Sequence, residues 1–193
     1  MEEDTSAVKA ALTAALGSIY EWYDFAVYGY LASDIAANFF GGSSSRLALL
    51  EAFAVYGAAF VMRPLGALLF GRVGDTAGRR GALLGAVALM ALPSFVIGCL
   101  PTYAAIGQNA TILLVCCRLL QGVSVGGQVA GAFVMTVELA PPGSRGLAGA
   151  LATAGNSLGV ALGAAVVTAC KASLGERASR RARARARLSL IHI

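Results

Sequence analysis

The chain has 193 residues, of which 58% are hydrophobic and only 13% are charged. A helix needs about 20 apolar residues to cross a bilayer, and several uncharged segments of that length occur, so the composition excludes an ordinary soluble domain and predicts an integral membrane protein with the lipid bilayer as a partner. The formal charge of +5 arises near the C-terminus: six of the 15 basic and one of the ten acidic residues follow residue 175, so nine of each precede it. No nucleic-acid partner is therefore predicted.

Five membrane-spanning helices are predicted, and they define an all-α, polytopic transmembrane bundle. Three segments contain no Asp, Glu, Lys or Arg at all, namely residues 81–100, 119–137 and 146–170. Charged residues interrupt the two segments before them, although their composition is otherwise similar. The predicted spans, in chain order after a cytoplasmic N-terminus at residues 1–9, are 10–32, 49–70, 81–100, 112–135 and 147–170.

The short loops set the predicted orientation, since cytoplasmic loops carry the excess of Lys and Arg. The loop at residues 71–80 holds three arginines, Arg145 follows the fourth span, and Lys9 precedes the first. Arg46 is the only basic residue in the loops on the opposite side. We therefore expect a multi-pass protein of the plasma membrane or inner membrane with a cytoplasmic N-terminus.

The first span contains two acids near its middle, Glu21 and Asp24. An ionised side chain at that depth costs on the order of 2.5 to 3.5 kcal/mol, so each acid needs a partner or a role. Together with Tyr28 they follow i, i+3, i+7 spacing and share one face of the helix. We expect this face to line a polar cavity, and Trp22 and Phe25 to face elsewhere.

Two arginines inside the spans, Arg63 and Arg118, are the cations available to these acids. Either could neutralise Asp24, or could instead hold an anionic substrate through a bidentate contact. Burial and a nearby cation act in opposite directions on the protonation of a carboxyl group, so an acid whose surroundings alternate can load and release a proton. A fixed structural ion pair is the alternative that the sequence leaves open.

The fourth span has a polar face, which we expect to line the same cavity. Its members are Arg118, Gln121, Val125 and Gln128. Glycines on the opposite face, and glycines repeated every four residues in the fifth span, are expected to serve close helix packing. They are Gly127 and Gly131, followed by Gly155, Gly159 and Gly163.

The segment GRVGDTAGRR at residues 71–80 is a charged loop between uncharged spans. Gly71 and Gly74 are expected to allow close approach to neighbouring helices, and Gly78 to supply the positive φ of a tight reversal. Asp75 can cap exposed backbone amides. The two arginines that end the loop are expected to pair with carboxylates at the same membrane face, of which Glu138 is the obvious candidate.

This loop resembles the connection between the second and third helices of the major facilitator superfamily, whose pattern is Gly-x-x-x-Asp-x-x-Gly-Arg-Arg/Lys. The segment ELAPPGSRG, residues 138–146, resembles the connection between the fourth and fifth helices of that superfamily. The resemblance implies an ionic latch that opens as two halves of a transporter rock about a central site; a solvated loop without such a network is the alternative. The implied conformational-switch residues are Gly71, Asp75, Gly78, Arg79, Arg80, Glu138 and Arg145.

Three further segments, EWYDF, MRPLG and RLLQGVSVGGQ, resemble the metabolite:proton symporters of that superfamily, which carry organic acids, compatible solutes and shikimate. The family usually has Glu where this chain has Gln128, which argues against a proton-titrating role there. The fifth span lacks the Gly-Pro pair typical of drug:proton antiporters, which favours symport. The resemblance implies five helices of the N-terminal six-helix half of a transporter, with the C-terminal half as a missing partner.

Several polar residues inside the spans have expected roles in transport. Asp24 and Glu21 are expected to couple transport to a proton. The predicted partners of the protein are therefore a small-molecule substrate and a proton. The expected substrate-binding residues are Arg63, Arg118, Gln121, Gln128 and Tyr28. The sequence has no Ser/His/Asp, metal-ligand or phosphate-loop constellation, so neither an enzyme, a metal nor a cofactor is predicted.

The last segment, residues 171–193, departs from everything before it. Its alternating Arg and Ala residues would lie outside, contrary to the positive-inside rule. Such alternation is typical of a GC-rich region read in a shifted frame, and LSLIHI can be encoded by a transposon-end adapter, so we interpret the tail as a read-through artefact. Two alternative functions stay open: a facilitative carrier of the sugar-porter kind, because ELAPPGSRG is shared with that family, and a non-transporting membrane subunit with a basic tail.

Overall fold

The computed structural model describes the backbone of residues 2–140 and 143–191. Side chains are described from residue 16 to residue 175, apart from residues 77, 79, 80, 83, 129–139, 141, 142 and 152. Within these limits every regular element is a helix, which confirms the predicted all-α fold class. The helices are α1 (Glu2–Tyr30), α2 (Ala32–Phe39), α3 (Ser45–Val61), α4 (Arg63–Ala77), α5 (Arg79–Cys99), α6 (Tyr103–Ile106), α7 (Gln108–Leu139) and α8 (Arg145–Ile191).

Helices lie over all five predicted spans, but their ends differ from the predicted ones. The second span is divided at Met62 into α3 and α4. The cause is Pro64, which lacks the N–H that would bond the carbonyl of Phe60 and so interrupts the helical hydrogen-bond ladder one residue after Arg63. Helix α8 continues past the predicted boundary at residue 170, and the short helices α2 and α6 were not predicted.

By length and apolar composition, three described helical segments are able to cross a membrane. They are Ser45–Thr76, Gln108–Gln128 and Arg145–Gly175, and Leu84–Cys99 is a shorter apolar helix. Helix α7 lies at the centre of the bundle, where it contacts α1, α3, α4, α5 and α8. Helix α1 packs along α8 on one side of this centre.

Glycines bring the backbones of α7 and its neighbours into direct contact. A Cβ atom at Gly122 would collide with the carbonyl oxygen of Ala59, and one at Gly126 with the carbonyl oxygen of Arg63. A Cβ atom at Gly66 of α4 would collide in the same way with the carbonyl oxygen of Val123. None of these three glycines was predicted to serve packing, and together they fix how closely α3 and α4 approach α7.

The glycines that were predicted to serve packing do so where their surroundings are described. A Cβ atom at Gly159 would lie 3.0 Å from the Cβ atom of Trp22, and one at Gly163 would lie 2.8 Å from the Cβ atom of Ala26. Both contacts join α8 to α1. Gly127 packs against the ring of Phe70, Gly155 is buried, and Gly131 lies outside the residues with described surroundings.

The loop at residues 71–80 is shorter than predicted, because α4 extends to Ala77 and α5 begins at Arg79. Gly78 joins them with φ of 93°, so the predicted positive φ is confirmed. The expected close approach at Gly71 is wrong, since a Cβ atom there would meet nothing within 4 Å, while one at Gly74 would make an ordinary contact with the Cβ atom of Ala82 at 3.7 Å. The reversal therefore depends on Gly78 alone.

Gly126→Ala is predicted to destabilise the bundle. The added methyl group would collide with the backbone of α4 at Arg63, and relieving the collision should lower the free energy of unfolding by about 1–3 kcal/mol. Gly57→Ala is the matched control, because Gly57 is in the interior of α3 with open space around it; its effect should be neutral or stabilising by less than about 1 kcal/mol. Thermal unfolding in detergent micelles measures both, and equal effects of the two variants would contradict the packing described for α4 and α7.

Candidate functional site

Two ion pairs cross the interior of the bundle and connect α1 to its neighbours. The Nη1 atom of Arg118 in α7 lies 2.9 Å from Oδ2 of Asp24. The Nη2 atom of Arg63, at the start of α4, lies 3.2 Å from Oε1 of Glu21. The structure therefore pairs the two acids of the first span with Arg63 and Arg118, and Arg118 is the one that neutralises Asp24.

Asp24 has a second hydrogen-bond partner that the sequence analysis missed. The hydroxyl of Ser94 in α5 lies 3.1 Å from Oδ1 of Asp24, so the two carboxylate oxygens have different donors. The side-chain amide of Gln121 in turn donates to the oxygen of Ser94 at 2.7 Å. A single serine in the uncharged segment 81–100 gave no signal by itself, although it directly follows Pro93, a residue that interrupts the helical ladder of α5.

Aromatic rings surround the two guanidinium groups. The guanidinium carbon of Arg63 lies 4.2 Å from the ring centre of Phe60 and 5.0 Å from that of Phe25. The guanidinium carbon of Arg118 lies 3.9 Å from the ring centre of Tyr28. Such cation–π contacts stabilise a cation where water is scarce. The expectation that Phe25 faces away from the polar group is wrong: the Phe25 ring is buried and forms one wall of it.

Tyr56 of α3 completes an aromatic wall, which consists of the rings of Phe25, Tyr28, Tyr56 and Phe60. Its ring stacks on that of Tyr28 with centroids 5.8 Å apart, and it meets the ring of Phe25 edge to face at 5.6 Å. The Tyr28 hydroxyl donates to the carbonyl of Ala52 at 3.1 Å, so it is held by the α3 backbone. The wall therefore fixes both arginines against α1.

The polar face predicted for the fourth span is buried as a whole in α7. All four of its members are buried, namely Arg118, Gln121, Val125 and Gln128. Gln128 is separated from the ion pairs, since it lies about 10 Å further along the helix axis than Gln121. Its amide nitrogen is 3.4 Å from the hydroxyl of Ser124, which itself donates to the carbonyl of Ala86 in α5.

Several polar atoms at the ion pairs keep unused hydrogen-bonding capacity. The Nε atoms of Arg63 and Arg118 and the Oε1 atom of Gln121 are buried and have no partner within the described part of the chain. Two donors and one acceptor beside the acids thus lack a hydrogen-bond partner among the described residues, and leaving such buried groups unpaired is costly.

The predicted switch residues are far less defined. The side chains of Asp75 and Arg145 are exposed, and Asp75 has no hydrogen bond or ion pair with the described residues. The side chains of Arg79, Arg80 and Glu138 lie outside the described residues. The ionic latch therefore stays a prediction.

Comparison with known proteins identifies the family to which the chain belongs. The model of the family described as "Sugar (and other) transporter" matches residues 10–182. The chain belongs to this family of the major facilitator superfamily, and its relatives agree with the resemblance to metabolite:proton symporters. No solved structure is significantly similar to the chain.

Three curated relatives illustrate the similarity. The chain is 39% identical to the proline/betaine transporter of Salmonella typhimurium, over 90% of the chain and 35% of the relative. It is 37% identical to the shikimate transporter of Escherichia coli, over 86% of the chain and 39% of the relative. It is 40% identical to the citrate-proton symporter of Klebsiella pneumoniae, over 72% of the chain and 31% of the relative. The chain thus spans about a third of the length of the curated relatives it matches.

Removing one member of the Asp24–Arg118 pair is predicted to cost more stability than the pair itself contributes. Asp24→Asn or Arg118→Gln alone leaves a buried charge without its partner and should lower the free energy of unfolding by about 3–5 kcal/mol. The double variant should be less destabilised than the sum of the two, by about 1–3 kcal/mol. Thermal unfolding of the unmodified protein, the two single variants and the double variant in detergent micelles measures this coupling.

Asp34→Asn is the matched control for these variants. Asp34 also forms an ion pair, with Lys171 at 2.8 Å, but both side chains are about half exposed. Because water already screens such a pair, the substitution should cost less than about 1 kcal/mol. Additive effects of Asp24→Asn and Arg118→Gln would show that the two side chains do not interact.

Proposed function

We propose that the complete protein containing this chain is a secondary active transporter that carries a small polar or anionic metabolite together with a proton by alternating access. The observation that carries the proposal is the pairing of Asp24 with Arg118 inside an apolar bundle. The relatives that are named as transporters support the class. We further propose that the N-terminus is cytoplasmic, as the distribution of arginines in the short loops indicates.

The ion pair offers a physical reason for coupling. In the described conformation Asp24 and Arg118 neutralise each other across 2.9 Å. A proton that binds Asp24 removes its negative charge and leaves the Arg118 guanidinium unbalanced in an apolar surrounding, which is costly. An anionic group of the substrate restores the balance. The proton and the substrate are therefore expected to enter together, and the empty carrier restores the original pair.

The donor geometry favours a carboxylate as the anionic group. Arg118 uses Nη1 for Asp24, while its Nε atom has no partner among the described residues. Arginine binds carboxylates most strongly through two parallel N–H donors. Proline, betaine, shikimate and citrate, the compounds in the names of the relatives, all contain a carboxylate. We propose a carboxylate-bearing metabolite as the substrate and Arg118 as its principal contact.

Arg63, Gln121 and Tyr28 are proposed to complete the substrate site, because they lie around the same ion pairs. Gln128 is a more distant member that would contact a longer substrate. Since the chain spans about a third of its relatives, the remaining contacts would come from the other half of the transporter. Rocking of the two halves would then expose the site alternately to each side of the membrane.

Asp24→Asn is predicted to abolish proton-driven accumulation while sparing exchange. The amide cannot bind or release the transported proton, but it leaves the shape of the site intact. Uptake of a carboxylate-bearing metabolite into proteoliposomes with an imposed pH gradient should fall at least about tenfold, whereas counterflow exchange without a gradient should persist. Asp34→Asn, at the exposed ion pair of α2, is the matched control and should accumulate substrate normally.

Unchanged uphill uptake by Asp24→Asn would reject Asp24 as the proton carrier. A facilitative carrier is the second candidate function, because the matching family is described by its sugar transporters. A protonophore separates the two functions in the unmodified protein. Symport predicts loss of accumulation when the proton gradient collapses, and facilitative transport predicts no effect.

A further inference from the structure

The hydroxyl of Ser94 lies among three polar atoms of three different groups. Its oxygen is 3.1 Å from Oδ1 of Asp24 and 3.0 Å from the carbonyl oxygen of Met90. The amide nitrogen of Gln121 donates to the same oxygen at 2.7 Å. Ser94 is thus the only described residue of α5 that contacts an intramembrane acid.

A hydroxyl group has one hydrogen to donate and two lone pairs that accept. The amide of Gln121 occupies one lone pair and holds the oxygen in place. The single hydrogen has two acceptors at nearly equal distances, Asp24 and Met90, and can be donated to only one of them at a time. The second lone pair remains able to accept a hydrogen bond from Asp24 once that acid is protonated.

From this geometry we infer that Ser94 is a positioning residue for the transported proton, which it directs to Oδ1 of Asp24. The inference rests on the proposed proton-coupled function. With Asp24 ionised, the Ser94 hydroxyl donates to Oδ1. When a proton from water binds Oδ1, the new O–H donates to the Ser94 oxygen, and the Ser94 hydrogen rotates to the Met90 carbonyl. Release reverses these steps and returns the proton to water, so Ser94 neither gains nor loses a proton.

Arg118 makes Oδ2 the poorer site for the proton. It donates to Oδ2 at 2.9 Å, and a proton on that oxygen would point at the N–H donors of the guanidinium. Four other ionisable groups lie near Asp24. Glu21 on α1 and Arg63 on α4 pair with each other, and Tyr28 and Tyr56 belong to the aromatic wall. Cys117 of α7 precedes Arg118 and is buried.

The remaining helices around Asp24 contribute no competing proton site. Helix α8 has no ionisable residue from 146 to 169, and α5 has none from 81 to 98. The side chains that decide the protonation of Asp24 are therefore Arg118 at one oxygen and Ser94 at the other.

The test compares Ser94→Ala with Ser94→Thr in the complete protein. In proteoliposomes, Ser94→Ala should move the pH of half-maximal uptake to more alkaline values by about half a unit to one unit, because a hydrogen bond to a carboxylate is stronger than one from a neutral acid. Ser94→Thr keeps the hydroxyl and should retain the wild-type midpoint. A wild-type midpoint in Ser94→Ala would overturn the inference.

Ser124→Ala is the matched control. Ser124 also joins α5 to α7 through its hydroxyl, but it donates to the carbonyl of Ala86 and touches no acid. Its loss should leave the midpoint unchanged, and a shift equal to that of Ser94→Ala would overturn the inference in favour of a general packing effect. If Ser94→Ala does not assemble, Ser94→Cys replaces it, since a thiol is a weaker donor; a shift in the same direction supports the inference and no shift overturns it.

Infrared difference spectra test the hydrogen bond independently of transport. Loss of the Ser94 oxygen should move the C=O stretching band of protonated Asp24 in Ser94→Ala, and the band must be absent from Asp24→Asn. An unmoved band would overturn the inference. If uptake by the unmodified protein ignores the proton gradient, the proposed function fails, while the band position still decides whether Ser94 binds the neutral acid.

Discussion

A charge inside an apolar helix bundle must be matched by an opposite charge or by a set of donors, and this requirement organises the centre of the molecule. Each of the two acids of α1 has an arginine partner on another helix. Helix α7 lies between α1, α4 and α5, so Arg118 can reach Asp24 while Gln121 reaches Ser94. The aromatic wall then covers the faces of both guanidinium groups. The ion pairs, the central helix and the wall form one structural unit.

The pairing in turn depends on how closely the backbones approach. Gly126 of α7 lies directly against the backbone of Arg63, and Gly122 lies against Ala59 one turn earlier in α3. Any side chain at these glycines would push α7 away from the point where Pro64 interrupts the α3–α4 helix. Arg63 would then move away from Glu21, because its position is set by that interruption. Close packing and charge pairing are therefore two consequences of the same helix contact.

The sequence predicted the class of fold and the presence of polar residues inside the bundle, because both depend on residue types. Long uncharged segments predict spanning helices, and an acid or arginine inside such a segment predicts a polar interior. The partner of each acid was not predictable, since Arg63 and Arg118 were both available and only the crossing of the helices decides between them. Helical spacing alone did not reveal that Phe25 belongs to the polar group.

Other parts of the site left no readable signal in the sequence. A lone serine such as Ser94 is compatible with any membrane helix, and its importance comes from lying opposite Asp24 on another helix. Gly122 and Gly126 occur in a glycine-rich segment in which Gly127 was the expected contact. Gly127 does pack against Phe70, but Gly122 and Gly126 also meet the backbones of α3 and α4. Which glycines of α7 meet a neighbouring backbone depends on the rotation of the helix about its axis. Rotation depends on all neighbouring helices at once, and single-helix periodicity contains no information about them.

Under the proposed function, the surroundings of the two acids favour Asp24 over Glu21 as the residue that would exchange a proton. Glu21 is almost fully buried at 3% exposed, and Arg63 is its one partner within the described residues. That arginine lies against the rings of Phe60 and Phe25. The side chain of Asp24 is 16% exposed, and a neutral hydroxyl contacts the oxygen that Arg118 leaves free. The proposed exchange needs access for the proton and a neighbour that can bond both the charged and the neutral acid. The exposure of Asp24 and the Ser94 hydroxyl meet these two needs. In the proposed mechanism Glu21 stays paired with Arg63, a contact that joins α1 to α4, while Asp24 exchanges the proton.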